Sequence, residues 1–307
     1  MTPRRPGILS VIGNTPMVEI QHLCPNRRVR LLAKLEGNNP GGSVKDRIAY
    51  YMVEKAEEAG QLTREKVLLE PTSGNTGIGV AMVGAAKGYR VKLTMPACVS
   101  VERRNVLMVL GAELELTASE EGTDGAIRRA HEILAREPGK YFMLNQFENE
   151  NNALAHYETT GPEVLAQSNG EVDVFVAGMG TTGTLMGVSR FMKERHPQTK
   201  IIGVEPVPGH KIQGLKNMQE AIVPKIFRPA LLDGKVTVED DAAYETARKL
   251  ATREGVFVGM SSGAAMWAAL ELAQDMRHGT VVALLPDRGD RYLSTELFRS
   301  ICAKCPP

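Results

Sequence analysis

The chain has 307 residues, 43% of them hydrophobic and 24% charged, which is enough for two domain-sized cores. Its 37 Lys plus Arg nearly balance 36 Asp plus Glu, and a net charge of +1 leaves no broad electrostatic footprint for nucleic acid or an acidic membrane surface. Apolar stretches such as 78–86 break after about half of the roughly 20 residues a membrane span needs, and the run 8–12 is too brief for the core of a secretory signal, so small-molecule chemistry in the cytoplasm is expected.

In chain order, the first informative segment is NNPGGSVKDR at 38–47. Ser43 followed three residues later by Asp46 predicts a capping box, opening a helix that runs to about Ala59 and is closed by Gly60. Lys45 then falls in the first helical turn, where the positive end of the helix dipole disfavours an ammonium. An amine whose charged form is disfavoured suits Schiff-base chemistry with an aldehyde; the competing reading is a solvated surface lysine.

Residues 67–70 read as a strand passing through TSGNTG, Thr72 to Gly77, into an Ala-rich helix that ends near Gly88, with a strand resuming over 91–95. The Asn-rich run 149–152 marks a domain boundary near residue 150. Strand 172–177 then leads through GMGTTGT, Gly178 to Thr184, into helix 185–195 and strand 200–204. Backbone N–H groups at such a helix start form an anion cradle, to which the hydroxyls of Thr181, Thr182 and Thr184 add donors, and a phosphate is the natural guest. The same segment matches G-x-G-x-x-G through Gly178, Gly180 and Gly183, with Glu205 near the end of the next strand, so an NAD-dependent dehydrogenase is the rival reading.

A third unit runs from strand 256–258 through GMSSGAA, Gly259 to Ala265, into helix 266–276 and strand 280–285. Strands and helices alternating in this way predict an α/β fold with parallel sheets covered on both faces and ligands at the carboxyl ends of the strands. The dehydrogenase reading leaves TSGNTG and GMSSGAA idle, although both are rich in hydroxyl and amide groups suited to a carboxylate or a ring heteroatom. A lysine-bound aldehyde, a phosphate cradle and two polar turns fit pyridoxal phosphate plus an amino acid better than NAD. Cys302 and Cys305 form a C-x-x-C with no second ligand pair and read as tail thiols, and none of the six histidines has a metal-ligand spacing, so no metal is expected.

Taken together, these segments resemble the cysteine synthase family, the O-acetylserine sulfhydrylases, which are similar in turn to the catalytic core of cystathionine β-synthase. The likeness begins at IGNTP (12–16) and runs through KLEGNNPGGSVKDR, PTSGNTGI, MP-x5-ERR, TTGPE, GMGTTGTLMGVSRF and GMSSGAA to GDRYLS at 289–294. It implies a type II pyridoxal-phosphate (tryptophan synthase β-like) fold: two three-layer α/β domains with mainly parallel sheets and the cofactor in the cleft between them. Residues 40–150 would form the smaller, mobile, substrate-gripping domain, and 1–39 with 151–307 the larger domain that holds the cofactor phosphate. A homodimer is implied as well.

By this resemblance, Lys45 would carry pyridoxal 5'-phosphate as an internal aldimine and move the Cα proton, and Asn75 would hydrogen-bond the ring 3′-oxygen. Gly180, Thr181, Thr182, Gly183 and Thr184 would hold the phosphate. Thr72, Ser73, Gly74, Asn75 and Thr76, with Gln146 of LNQF, would grip the substrate carboxylate. Ser261 would face the pyridine nitrogen, where a neutral hydroxyl makes the ring a weaker electron sink than an aspartate would and favours loss of a β-substituent over transamination or racemisation.

The implied activity is that of a transferase making L-cysteine from O-acetyl-L-serine and sulfide or thiosulfate through an α-aminoacrylate, with cystathionine β-synthase and O-phosphoserine sulfhydrylase as alternatives. KLEGNN, GTTGT and Asp287-Arg288 of DRGDRYLS look like the B isoform, whereas HKIQG (210–214) and Pro286 look like the A isoform. The B pattern implies a larger donor such as thiosulfate, and the A pattern would add serine acetyltransferase as a partner.

Overall fold

A computed structural model describes residues 7–299; Cys302 and Cys305 lie outside the described residues. β1 (Met17–Glu19) and β2 (Val29–Leu35) form an antiparallel pair before α1 (Lys45–Glu58). β3 (Val67–Pro71), α2 (Asn75–Lys87), β4 (Arg90–Pro96), α3 (Val101–Val109), β5 (Glu113–Thr117), α4 (Gly122–Arg136) and β6 (Tyr141–Met143) follow. Their strands make a parallel four-stranded sheet in the order β5-β4-β3-β6.

The chain continues through α5 (Asn151–Ala155), a π-turn at His156–Thr160 and α6 (Gly161–Gln167). It then forms β7 (Val174–Gly178), α7 (Gly183–Arg195), β8 (Lys200–Pro206), β9 (Gly234–Val238), α8 (Asp240–Lys249), α9 (Met260–Asp275) and β10 (Gly279–Leu285). These strands join the first pair in a six-stranded sheet of order β1-β2-β10-β7-β8-β9, parallel except for β1.

Alternation along the central strands explains why both faces are covered. In β7, Val174 and Val176 pack on the face carrying Ala243 and Ala247 of α8 and Ala264 and Ala268 of α9, whereas Phe175 and Ala177 meet Leu185, Val188 and Met192 of α7. β10 splits the same way, with Val281 and Ala283 on one side and Val282 and Leu284 on the other. In the smaller sheet Leu68 faces the α1 and α2 layer while Val67 and Leu69 meet Ala130 and Ile133 of α4. Each of the Val, Leu, Ile, Phe and Met side chains among them contributes about 1.5–3 kcal/mol by leaving water.

The helix after NNPGGSVK ends as expected. Gly60 has φ +66, its N–H donates to the carbonyl of Glu57 at 3.0 Å, and Gln61 N–H reaches Ala56 at 3.0 Å, a Schellman closure. Its start differs from the expected capping box. α1 begins at Lys45 without a side-chain cap; Ser43 Oγ accepts Lys45 N–H at 3.2 Å, and Asp46 reaches past Ser43 to accept Gly41 N–H at 2.6 Å. The tight turn at Gly42, φ +80, draws the carboxylate to Gly41.

The strand expected at 256–258 does not form either. Val258 makes only an isolated bridge with Arg288, in the loop after β10, because both edges of β10 are already taken by β2 and β7. The helix of the GMSSGAA unit also starts earlier than expected, at Met260, which puts Ser261 in its first turn.

Candidate active site

In parallel α/β architectures the carboxyl ends of the strands are where turns into helices leave polar backbone groups free. Here β3 stops at Pro71 and turns into α2, β7 stops at Gly178 and turns into α7, and β10 stops at Leu285 before Pro286 and Asp287. Between them lies a cleft of about 440 Å³, lined by Lys45, Thr72, Ser73, Asn75, Thr76, Gln146, Gly180, Thr181, Thr182, Gly183, Thr184 and Ser261. Residues far apart in the chain are thus brought to one space. Gly74 stays behind this lining: its φ is +142 and a Cβ there would stand 2.6 Å from Cδ of Arg103, so only glycine lets the TSGNTG turn press on that arginine.

Lys45 is half-buried and reaches the open volume of the cleft. Desolvation by the surrounding protein lowers its pKa to about 8, against the opposing field of the Asp287 carboxylate. An amine poised near neutrality is a nucleophile for an aldehyde and a base for a carbon acid.

On the α2 side, Thr72 Oγ1 accepts the N–H groups of Gly74 at 3.0 Å and Gly77 at 3.1 Å, which leaves its own proton for a ligand. The Thr76 hydroxyl donates to Gln146 Oε1 at 2.6 Å, and Gln146 Nε2 donates to the Pro71 carbonyl at 3.0 Å. Beneath them Glu70, fully buried, accepts the N–H groups of Asn145 at 2.8 Å and Gln146 at 3.2 Å. Burial pushes its carboxyl up to about 8 in spite of those two donors. Asn145 takes φ +54 to make this turn.

Across the cleft, a Cβ on Gly180 would stand 2.5 Å from the Gly214 carbonyl oxygen, and one on Gly183 would stand 1.9 Å from Asn152 Oδ1. Thr182, a β-branched residue, is held at φ +66, a conformation that costs about 1–3 kcal/mol and persists where the surroundings impose it. Its Oγ1 is buried without a hydrogen-bond partner. Behind Thr184, the fully buried ring of His156 lies 3.3 Å from Thr184 Oγ1 and 2.8 Å from Thr160 Oγ1, and burial holds its pKa well below the usual imidazole value. A strained turn at a helix start with an unused hydroxyl fits a phosphate, and a half-buried lysine opposite it fits the aldehyde of the same molecule. The residues present therefore fit pyridoxal phosphate. Ser261 completes the lining, 4% exposed in the first turn of α9.

Other contacts at the site join residues whose pairing leaves no signal in their local sequence. Asn75 donates to Asp287 Oδ2 at 2.7 Å and accepts from Arg291 Nη1 at 2.6 Å, while the Tyr292 hydroxyl donates to the same Asp287 oxygen at 2.6 Å. Arg103 stacks over the Tyr292 ring at 4.5 Å and donates to Gln213 Oε1. At the mouth, Lys216 pairs with Asp124 at 2.7 Å. DRGDRYLS stands out as a motif, but nothing in its spacing shows that its first aspartate meets an asparagine more than two hundred residues earlier.

Fold and site together define an enzyme of the pyridoxal-phosphate class, and the family model described as pyridoxal-phosphate dependent enzyme matches residues 8–287. Cysteine synthase B of Escherichia coli (strain K12) is 47% identical over 287 residues, 94% of this chain and 94% of its own length. The crystal structure of cysteine synthase from Entamoeba histolytica superposes with a TM-score of 0.89 at 38% identity, covering 97% of this chain and 93% of that one. The O-acetylserine dependent cystathionine β-synthase from Helicobacter pylori superposes with a TM-score of 0.89 at 36% identity, covering 95% and 98%. The chain belongs to the cysteine synthase family of pyridoxal-phosphate-dependent enzymes. The dehydrogenase alternative falls with this membership. Glu205, its expected ribose ligand, is instead held by Lys235 at 2.6 Å and by Met218 N–H at 2.8 Å.

Proposed function

We propose that this protein is a B-type O-acetylserine sulfhydrylase, a transferase making L-cysteine from O-acetyl-L-serine and sulfide, with thiosulfate as the larger donor. The observation that carries this reading is Lys45, lowered to about 8, in one cleft with both the Gly180 to Thr184 turn and the Thr72 to Thr76 turn. Identity of 47% to a cysteine synthase B supports it.

Bound pyridoxal phosphate supplies an electron sink that acidifies the Cα–H of an amino acid and eases departure of its β-substituent. Lys45 would hold the cofactor's aldehyde carbon, and as the amine in the cleft it would take the substrate Cα proton and return a proton there after sulfur has added. The turn from Thr72 to Thr76, with Gln146, holds the substrate carboxylate through hydroxyl, amide and backbone donors at the start of α2. Thr181, Thr182 and Thr184 hold the phosphate, and Ser261 offers a neutral hydroxyl to the ring nitrogen.

Residues 40–150 act as the smaller domain that closes when the carboxylate is gripped, over a larger domain of 1–39 and 151–307, excluding water during the reaction. The reading includes a homodimer in the cytoplasm; no helix among the described residues is long and apolar enough to cross a membrane.

The test is the visible spectrum of the purified protein with pyridoxal phosphate, then with O-acetylserine, then with sulfide. A visible band that shifts with O-acetylserine and returns with sulfide, with cysteine formed, supports the assignment. A band that O-acetylserine leaves unchanged but O-phosphoserine shifts moves the substrate to the phosphorylated serine. A protein with no visible band after incubation with the cofactor overturns the reading.

A further inference from the structure

We infer, on the reading of residues 180–184 as the phosphate cradle, that Asn152 is a positioning residue that aims the Thr181 hydroxyl at the phosphate and, through the same amide, fixes Gln146 on the carboxylate side. Asn152 sits at the start of α5, is fully buried, and does not line the cleft. Its Nδ2 donates to the Gln146 carbonyl at 2.7 Å and to Thr181 Oγ1 at 3.1 Å. Both amide protons are thereby used, one on each side of the cleft.

A hydroxyl has one proton and two lone pairs. Because Thr181 Oγ1 accepts from Asn152, its proton is directed elsewhere, and Thr181 lines the cleft, so that proton is available to an anion there. The amide orientation is not interchangeable. Turning it over would set Oδ1 against the Gln146 carbonyl, acceptor facing acceptor, and would leave Thr181 free to spend its proton on Asn152. As it stands, Oδ1 is buried without a hydrogen-bond partner and is seated against Gly183, where a Cβ would stand only 1.9 Å away. Gly183 therefore serves a second purpose besides opening α7: it makes room for this amide.

The consequence is a coupled site. Removing Asn152 frees Thr181 to rotate and loosens Gln146, so one substitution weakens both cofactor and carboxylate binding although the side chain touches neither ligand. The experiment uses Asn152→Ala, Thr181→Val and the double variant. The dissociation constant for pyridoxal phosphate is read by fluorescence titration of the apo-protein, the phosphate environment by the phosphorus NMR shift of the bound cofactor, and the affinity for L-serine by the visible band of the holoenzyme.

Each single variant is expected to weaken pyridoxal phosphate about tenfold, as loss of one buried hydrogen bond does, and the double variant little further. Asn152→Ala is also expected to shift the phosphorus resonance and to weaken L-serine several-fold. About hundredfold loss in the double variant, or wild-type cofactor affinity and an unshifted resonance in Asn152→Ala, would overturn the inference. An unchanged affinity in Thr181→Val would instead overturn the cradle reading itself. If Asn152→Ala does not fold, Asn152→Leu, which keeps the branched shape and removes both donors without adding a charge, is put through the same measurements with the same expected losses.

Discussion

Asn75 donates its amide to Asp287 across 2.7 Å, tying the first turn of α2 to the loop after β10, and the same fully buried carboxylate sets an opposing field on Lys45. One acidic side chain thus acts on both the expected ring-oxygen partner and the lysine nucleophile. Its second oxygen is buried without a hydrogen-bond partner, so Asp287 is held mainly by Asn75 and Tyr292.

Capture of pyridoxal phosphate by the apo-protein needs the neutral amine of Lys45. With its pKa lowered to about 8 by desolvation, the rate of capture is expected to rise with pH around a midpoint near 8. The Asp287 field raises this pKa, so Asp287→Asn is expected to move the midpoint to lower pH. Stopped-flow absorbance measures both, with Lys45→Ala as the variant expected to lose the visible band and to lose activity by roughly 10²–10⁴-fold or more. A midpoint that stays put or rises in Asp287→Asn contradicts this electrostatic assignment.

Glu163 accepts from Lys34 at 2.7 Å, from Arg47 Nη1 at 2.6 Å and from Asn14 N–H at 2.8 Å, knitting α6 to β2, α1 and the loop before β1. Glu163→Gln leaves the fully buried Lys34 without its carboxylate and is expected to cost about 3–5 kcal/mol in chemical denaturation. Burial raises the Glu163 pKa, but its bonds to Arg47 and Lys34 outweigh this and hold it down at about 2. Its contribution is therefore present above its ordinary unfolded value and is lost as pH falls towards 2. Over that acid range the wild type should lose stability more steeply than Glu163→Gln.

α7 lies so close to α5 and the π-turn after it that a Cβ on Gly187 would stand 2.1 Å from the Ala153 carbonyl oxygen and 2.8 Å from Tyr157 N. Backbone atoms cannot step aside as a side chain tip can. Gly187→Ala is expected to destabilise by about 1–3 kcal/mol, read as a lower denaturation midpoint with an unchanged slope.

At the mouth of the cleft, Asp124 at the start of α4 accepts from Lys216 at 2.7 Å and from Ile222 N–H at 3.0 Å, joining the four-stranded unit to the loop after β8. Asp124→Asn weakens this bridge and admits water. A several-fold rise in pyruvate formed per cysteine, followed by a lactate dehydrogenase coupled assay, is expected. An unchanged ratio would mean that the ion pair plays no part in closure.

Local sequence was sufficient wherever the physics is local. Gly60 and Gly88 close helices because glycine takes the left-handed turn without a Cβ clash, and the unbroken apolar runs of β7 and β10 announce strands buried on both faces. The polar turns at Thr72 to Gly77 and Gly178 to Thr184 were legible because a strand running into a helix leaves N–H groups that need a partner. The order of motifs from IGNTP to GDRYLS was enough to indicate the family.

What the sequence by itself determined is thus the parts: the parallel α/β units, the lysine at a helix start and the turns rich in hydroxyls. Only the tertiary structure decided what they meet. The lowered pKa of Lys45 depends on the protein closed around it and on Asp287, and the seat of Asn152 depends on a missing Cβ at Gly183. The segment 256–258 is apolar enough for a strand but found β10 already paired on both sides. Burial and electrostatic fields arise from atoms distant in the chain, and their direction is fixed only when the two sheets come together.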